Sequence, residues 1–267
     1  MTATAPRRPL ALPTSWVRGV VGVLVMFGFV ELLTRAELVS ADYLPPASSL
    51  VGESFGLLDD GNFWSAVGTT LWASFYGLVR AILIAVPVGL LLGLSKRAYR
   101  AAIVVVELLR PIPSVALIPL AILQFGLGTP MKAFLATYAC LWPLLFNTIY
   151  GMKEMDEVGV DTARAFGLGG FRRALRVNLP AASPFIFTGV KIASSVALIV
   201  VIAAEIVAGG GGGLGVEIGS ARLSGNVKLS YAYTLVTGVI GILLYIVLEA
   251  LERRLFGWNR IGQADGR

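Results

Sequence analysis

Six ionisable side chains lie inside long apolar stretches of this chain. They are Glu31, Arg80, Glu107, Arg110, Lys191 and Glu205. Inserting such a group into hydrocarbon costs about 2.5–3.5 kcal/mol, so each is a candidate for an ion pair or for contact with a charged solute. Arg110 and Lys191 each lie about eleven residues into an apolar stretch, which as helix is about 16 Å. Two alternatives follow: Glu107 neutralises Arg110 or Lys191 in a structural network, or the two cations attract an anion near the middle of a membrane.

Other kinds of chemistry are restricted by what the sequence lacks. The chain has no histidine and one cysteine, Cys140, which excludes a Ser-His-Asp or Cys-His device and argues against zinc, haem or iron–sulfur centres. A phosphate-binding loop needs the pattern G-x-x-x-x-G-K-[ST]. No lysine follows the glycine run 209–213, and "GLLLGLSK" (89–96) has the wrong spacing. We therefore expect the chain to bind no metal, ATP or other cofactor.

The composition indicates which secondary-structure elements contain the ionisable residues. The chain has 267 residues, of which 56% are hydrophobic and 14% are charged, whereas soluble domains carry about 25% charged residues. The apolar residues fall in windows of about 20, the length of a membrane-spanning helix. We predict an all-α polytopic membrane protein with six spans at 16–33, 63–94, 99–125, 131–152, 181–207 and 231–251. Residues 1–15 and 253–267 form tails around one transmembrane domain, 16–252, with a loop at about 153–179.

Lysine and arginine residues concentrate in both tails and in the connections between spans 2 and 3 and between spans 4 and 5. The other side of the membrane holds only Arg35, Lys132, Arg222 and Lys228. Because positive residues favour the cytoplasm, both termini are predicted to be cytoplasmic, with the first span retained as an anchor. This topology explains the net charge of +6 without nucleic acid.

The third span contains Pro111, Pro113 and Pro119. Proline frees helix carbonyls that protein or water must satisfy, so we predict a broken helix that faces the bundle or a cavity. Glu205, before the glycine run, lies near the outer mouth, where it either holds a gate or caps neighbouring elements.

One cytoplasmic segment, "DTARAFGLGGFRRALRVNLPAA" (161–182), is polar, basic and broken by glycines. Its pattern predicts a short helix over 161–166 that Gly167 ends, a second short helix, and a fifth span that Pro180 opens. One interpretation is an interfacial helix on anionic membrane lipid.

The spacing of this segment supports a second interpretation. The segment resembles the cytoplasmic loop of binding-protein-dependent ABC transporter permeases. Its pattern is Asp-Thr-Ala, then three residues, Gly167, nine residues and finally Val-Asn-Leu-Pro. That family has Glu-Ala-Ala at the start and Ile before x-Leu-Pro, so Asp, Thr and Val are departures. The resemblance implies a helix that docks on a separate ATPase subunit, which would bind ATP and Mg. The residues with this coupling role would be Asp161, Thr162, Ala163, Arg164, Ala165, Phe166, Gly167, Leu168, Leu179 and Pro180.

Further segments resemble the nitrate/sulfonate/taurine branch of that family, which includes bicarbonate transporters. These are "YLPPASSLV" (43–51), 108–128, "AAEIVAGGGGGLG" (203–215) and "LERRLFGWN" (251–259). Members of the sulfonate group often have Trp where Gln124 and Leu198 stand, and these departures leave the substrate open. The residues expected along a translocation pathway are Glu107, Arg110, Pro111, Pro113, Gln124, Lys191, Leu198 and Glu205.

The resemblance implies the permease subunit of an ATP-driven importer in the bacterial inner membrane, moving a small anion by alternating access. Its expected partners are a pair of ATPases, a second permease copy or a related chain, and an extracytoplasmic solute-binding protein. The main alternative is an ion-coupled secondary transporter, although the chain shows no convincing internal repeat of the kind common in that class. A membrane enzyme is a third alternative, but no two carboxylates in the spans have a paired spacing.

Overall fold

The structure, a computed structural model, describes residues 14–154, 162 and 165–256, and every regular element in this part of the chain is helical. The helices are α1 (Thr14–Arg35), α2 (Ala47–Gly56), α3 (Gly61–Leu94), α4 (Lys96–Leu109), α5 (Ile118–Phe125), α6 (Thr129–Lys153), α7 (Gly170–Arg173), α8 (Leu179–Ala208), α9 (Leu214–Leu223) and α10 (Val227–Leu255). Two 3₁₀ turns, Leu57–Asp59 and Ser114–Leu117, precede α3 and α5, and a π-helical turn, Ala174–Asn178, precedes α8.

Four of the described helices are long and apolar enough to cross a membrane, namely α3, α6, α10 and α8 with its π turn. They confirm the predicted second, fourth, fifth and sixth spans. The predicted third span, 99–125, is a bent pair of helical segments: α4 and the segment Ser114–Phe125 are bent by 76° around the proline-rich break between them. Helix α1 covers the predicted first span but is not among the four.

The centre of the bundle is built by small residues on α3. Ala73, Gly77, Ala81, Ala85, Gly89 and Gly93 recur at every fourth position and so lie on one face of this helix. A Cβ atom at Gly77 would lie 2.5 Å from the Ala136 Cβ, and one at Gly89 would lie 2.6 Å from the Thr148 Cβ. The glycines therefore let α3 pack directly against α6, as small residues do between membrane helices.

Helix α6 lies between α3 and α8 and is the most buried of the four spans. Gly151 of α6 packs against Ala182, near the start of α8, and Gly189 of α8 packs against Asn147. Farther along, the Cys140 thiol contacts the Ala193 carbonyl oxygen at 3.1 Å. These contacts make α6 and α8 antiparallel neighbours, so that the last turn of α8 meets the first turn of α6; we refer to this end of the bundle as the outer end, following the orientation predicted from the charges.

Two short helices that the sequence did not predict cover the outer side of the bundle. Helix α2 begins after Pro46 and packs on α10, and helix α9 packs on α8 and α10. Lys228, in the first turn of α10, pairs with Glu53 of α2 at 2.9 Å. At the other end α10 reaches Leu255, so Arg253 and Arg254, which the sequence placed in the C-terminal tail, are helical.

Candidate functional site

A buried ion pair connects the outer ends of three helices. The Lys132 Nζ atom of α6 lies 2.8 Å from the Glu205 Oε1 atom of α8, and both side chains are completely buried. The hydroxyl of Thr70, on α3, donates to the same carboxylate at 3.0 Å from Oε2. Because a buried charge is costly unless it is paired and hydrogen-bonded, this network is stable only as a complete set.

The same three side chains hold the glycine-rich connection between α8 and α9. Lys132 donates to the carbonyl oxygens of Gly211, at 3.2 Å, and Gly212. The Gly215 N–H donates to Glu205 at 2.9 Å, and the Leu214 N–H donates to Thr70 at 2.8 Å. The ammonium group thus has three acceptors and the carboxylate has three donors, which leaves neither charge under-compensated.

The glycines are required by how closely this connection approaches the carboxylate. Gly213 has a φ of +116°, and a Cβ atom there would lie 2.0 Å from the Glu205 Oε1 atom. A Cβ at Gly211, where φ is +78°, would lie 2.6 Å from the Gly128 Cα atom. The glycine run lets the chain surround a buried carboxylate closely.

Lys191 has partners that the sequence did not indicate. Its ammonium pairs with the Glu249 carboxylate of α10 at 3.0 Å and also with the Glu252 carboxylate. Glu107 takes no part, so the prediction that Glu107 neutralises Lys191 is wrong. The reason is packing. Helix α8 lies against the last turns of α10, and this places the carboxylates of Glu249 and Glu252 next to Lys191.

We expect Lys191→Gln to destabilise the chain by about 1–2 kcal/mol, less than the loss of a fully buried pair, because the paired side chains are only partly buried. Loss of the ammonium leaves Glu249 and Glu252, one helical turn apart, without the cation between them. The melting temperature in detergent measures the effect. Adding Glu252→Gln should restore stability, whereas adding Glu107→Gln should not, and rescue by Glu107→Gln would contradict the observed pairing.

The break between α4 and α5 exposes backbone near the middle of the fold. Pro113 has no N–H to bond the Leu109 carbonyl oxygen four residues earlier, and this oxygen instead accepts the Tyr138 hydroxyl of α6 at 2.7 Å. Residues 107–113 are all exposed. The guanidinium carbon of Arg110 lies 4.8 Å from the centroid of the Phe146 ring. The prediction of a proline-broken helix is confirmed.

The cytoplasmic segment is described in part, since Asp161, Ala163 and Arg164 lie outside the described residues. The Phe166 N–H donates to the Thr162 carbonyl oxygen at 3.1 Å, and Gly167 follows with a φ of +73°. This left-handed conformation confirms the prediction that Gly167 ends the turn. Phe166 is 82% exposed, an unusual position for an aromatic ring.

The second half of this segment runs directly into α8. Helix α7 continues through the π turn, where the Leu179 N–H bonds the Ala174 carbonyl oxygen five residues earlier, into the first residues of α8. The α-helix of the fifth span begins at Leu179 with Pro180 in its first turn, as predicted, and the π turn joins this helix to α7 without a break. Pro180 has no N–H for the Arg176 carbonyl oxygen, and the wider π turn accommodates this gap without ending the helix. One continuous helical rod thus connects the cytoplasmic segment to Glu205.

A comparison with known protein families shows which family the chain belongs to. Residues 85–257 match the family described as binding-protein-dependent transport system inner membrane component. The chain belongs to this family. It is therefore an inner-membrane permease subunit and not itself an enzyme, which decides against the secondary transporter and the membrane enzyme.

Individual relatives agree with the family assignment. The permease is 30% identical to a putative ABC transporter permease of Methanocaldococcus jannaschii, over 86% of this chain and 84% of the relative. It is 29% identical to the taurine transport system permease protein TauC of Escherichia coli, over 95% of this chain and 93% of TauC. It is 27% identical to the nitrate import permease protein NrtB of Leptolyngbya laminosa, over 96% of this chain and 98% of NrtB.

A solved structure supports the fold. The MetNI methionine ABC transporter, in an inward-facing conformation, has a chain that superposes with a TM-score of 0.64 at 20% identity. The match covers 71% of this permease and 94% of that chain. The likeness confirms an all-α permease of the ABC importer fold.

The predicted pathway residues of the permease fall into two groups. Glu107, Arg110, Pro111, Pro113 and Gln124 are exposed on the broken α4–α5 unit. The other three lie along α8, where Lys191 is paired, and Leu198 and Glu205 are buried inside the single chain. Within the chain Lys191 is thus partly buried and paired, whereas Arg110 is exposed.

Proposed function

We propose that this permease lines a pathway for a small oxyanion together with a second copy of itself. The observation that carries the proposal is the exposed, non-helical break at residues 110–113, which includes Arg110. Backbone of this kind does not face lipid at membrane depth and is tolerated only against protein or a water-filled cavity. A second permease packed opposite the break would enclose such a cavity, and alternating access would open it to each side in turn.

The oxyanion class rests on charge and on the relatives. Arg110 makes no ion pair within the described residues, so a cation faces the space that we assign to the pathway. The relatives named for taurine and nitrate transport handle solutes with a sulfonate or a nitrate group. Both groups are compact anions whose oxygens accept several hydrogen bonds, and a guanidinium group donates hydrogen bonds in a matching geometry.

The energy source in this proposal is a pair of separate ATPase subunits on the cytoplasmic side. Phe166 and the turn at Gly167 would enter a cleft on each ATPase, and the rod from α7 through α8 would carry the resulting movement across the membrane. A solute-binding protein would deliver the substrate at the outer face, where α2, α9 and the glycine-rich connection lie. The charge distribution supports this orientation, with both termini cytoplasmic.

The test is to express the permease with and without a candidate ABC ATPase subunit from the same organism. We expect the isolated permease to show no ATP hydrolysis and to co-purify with an ATPase that carries a phosphate-binding loop. Membrane vesicles that hold the whole assembly should take up taurine or nitrate only when ATP and the binding protein are supplied. ATP hydrolysis by the isolated chain, or ATP-independent uptake, would overturn the proposal.

A further inference from the structure

An aromatic stripe runs along one face of α6. Phe134, Tyr138, Trp142, Phe146 and Tyr150 recur at every fourth position, so their side chains follow one line down the helix. None of the five is buried, although the neighbouring positions Leu135 and Leu144 are fully buried against other helices. Phe134 packs on the core beside Phe125, whereas Tyr138, Trp142 and Phe146 leave part of their surface open for contact.

Three consecutive members of the stripe meet the end of α4. The Tyr138 hydroxyl bonds the Leu109 carbonyl oxygen, the Trp142 ring stands edge-on to Tyr138 with 5.5 Å between ring centroids, and Phe146 lies beneath the Arg110 guanidinium. Trp142 is near the midpoint of α6, about 20 Å along the helix axis from its outer end. The contact between α4 and the stripe is therefore close to the middle of the membrane.

The positive charges that the sequence places in or beside the spans have different partners. Lys132 is neutralised by Glu205, and Lys191 is neutralised by two glutamates. Arg110 is exposed, and among the described residues its guanidinium lies over an aromatic ring rather than beside a carboxylate. Glu107 lies one turn earlier on α4 but does not approach within ion-pair distance. A cation without an acidic partner at this depth requires water or an anion.

A hydrogen-bond donor lies one helical turn before Phe146 on the same stripe. The Trp142 Nε1 atom is buried and has no acceptor in the described part of the chain. An indole N–H can only donate, and a buried donor without an acceptor costs about 1–3 kcal/mol. A solute oxygen that reached this nitrogen as the surrounding helices move would remove that cost.

We propose that Arg110, Trp142 and Phe146 form a binding site for the oxyanion that the permease transports. This site rests on the proposed function and names the residues that select the substrate class. Phe146 holds the guanidinium in place, Arg110 donates two hydrogen bonds to a sulfonate or nitrate group, and the Trp142 N–H donates a third. Lys191, Leu198 and Glu205 are excluded from this site because they are committed to contacts within the chain.

The experiment measures ATP-driven uptake of radiolabelled taurine and of nitrate into vesicles that contain the whole transporter, normalised to the amount of assembled complex. Arg110→Gln should lower uptake at sub-saturating substrate at least about tenfold, because a hydrogen-bonded charge is lost. Arg110→Lys keeps the positive charge but lacks the planar guanidinium group with its paired N–H donors, so its uptake should lie between those of wild type and Arg110→Gln. Trp142→Phe keeps the ring without the N–H and should lower uptake about fivefold.

Arg80→Gln is the matched control. Arg80 is also an exposed arginine on a membrane-spanning helix, with its guanidinium carbon 5.5 Å from the centroid of the Tyr76 ring, but it lies on α3 and away from the stripe. It should retain uptake within about twofold of wild type, since it donates no hydrogen bond to the substrate. Equal losses in Arg80→Gln and Arg110→Gln would overturn the site.

The remaining outcomes are also decisive. If the wild-type transporter imports both probes and an assembled Arg110→Gln or Trp142→Phe variant does the same at the wild-type rate, the site is wrong and the proposed function stands. If the wild-type transporter hydrolyses ATP with its partner but imports neither probe, the oxyanion class and the site fail together. Should Arg110→Gln not assemble, Arg110→Lys and Trp142→Phe decide, and wild-type uptake by both would overturn the site.

Discussion

Lys132→Met should destabilise the permease more than any other single replacement of a charged side chain considered above. The change leaves the Glu205 carboxylate buried and unpaired and removes the donor to the carbonyl oxygens of Gly211 and Gly212. Breaking a fully buried ion pair by removing one partner costs about 3–5 kcal/mol. We expect a lower melting temperature for the detergent-purified chain and a lower yield of membrane-inserted protein.

Two further variants isolate the cause. Glu205→Gln added to Lys132→Met removes the unpaired charge and keeps a side-chain oxygen that accepts hydrogen bonds, so it should recover part of the stability. Lys228→Met is the matched control, because Lys228 pairs with Glu53 at 2.9 Å but is 46% exposed; it should cost less than about 1 kcal/mol. An effect of Lys132→Met as small as that of Lys228→Met would contradict a structural role for the buried pair.

The buried pair also restricts how the helices move. Thr70, Lys132 and Glu205 hold α3, α6 and α8 together at their outer ends, and the glycines of α3 hold α3 and α6 together along their length. A movement that enters α8 from the cytoplasmic segment must therefore carry all three helices, because separating them exposes an unpaired charge. The α4–α5 unit contacts this group of three helices less extensively.

The spans were predictable because hydrophobicity over about 20 residues is a property of the local sequence. The break in the third span was also predictable, since proline removes a specific backbone donor wherever it occurs. Helices α2 and α9 were missed because each has only 10 residues and is stabilised by packing on α10 rather than by its own pattern.

The partners of the charged residues could not be predicted in the same way. Lys132 and Glu205 are 73 positions apart, and only the antiparallel packing of α6 and α8 brings them together. The sequence did carry a partial signal, because Lys132 begins the fourth predicted span and Glu205 ends the fifth on the same side. One alternative from the sequence paired Glu107 with Arg110 or Lys191 because all three occupy predicted spans, but which helices are neighbours is decided by packing across the whole bundle.

Gly167→Val should lower ATP-driven uptake at least about tenfold while the chain still inserts and folds. Gly167 has a φ of +73°, and a Cβ atom at this position would point into open space, so the substitution strains the backbone without a steric clash. A left-handed conformation costs an L-residue roughly 1–2 kcal/mol, and every 1.4 kcal/mol changes an equilibrium about tenfold. The turn would open, and Phe166 would leave the position in which we propose that it contacts the ATPase.

Gly169→Val and Gly167→Asn test whether backbone conformation is the cause. Gly169 also has open space around it but lacks a positive φ, so valine there should retain most of the uptake. Asparagine tolerates the left-handed conformation better than other non-glycine residues, so Gly167→Asn should recover much of the activity that valine removes. Uptake and co-purification of the ATPase are measured on the same preparations. If Gly167→Val retains both, the turn is not the coupling element, and the contact with the ATPase must be sought on another cytoplasmic connection, such as that between α3 and α4.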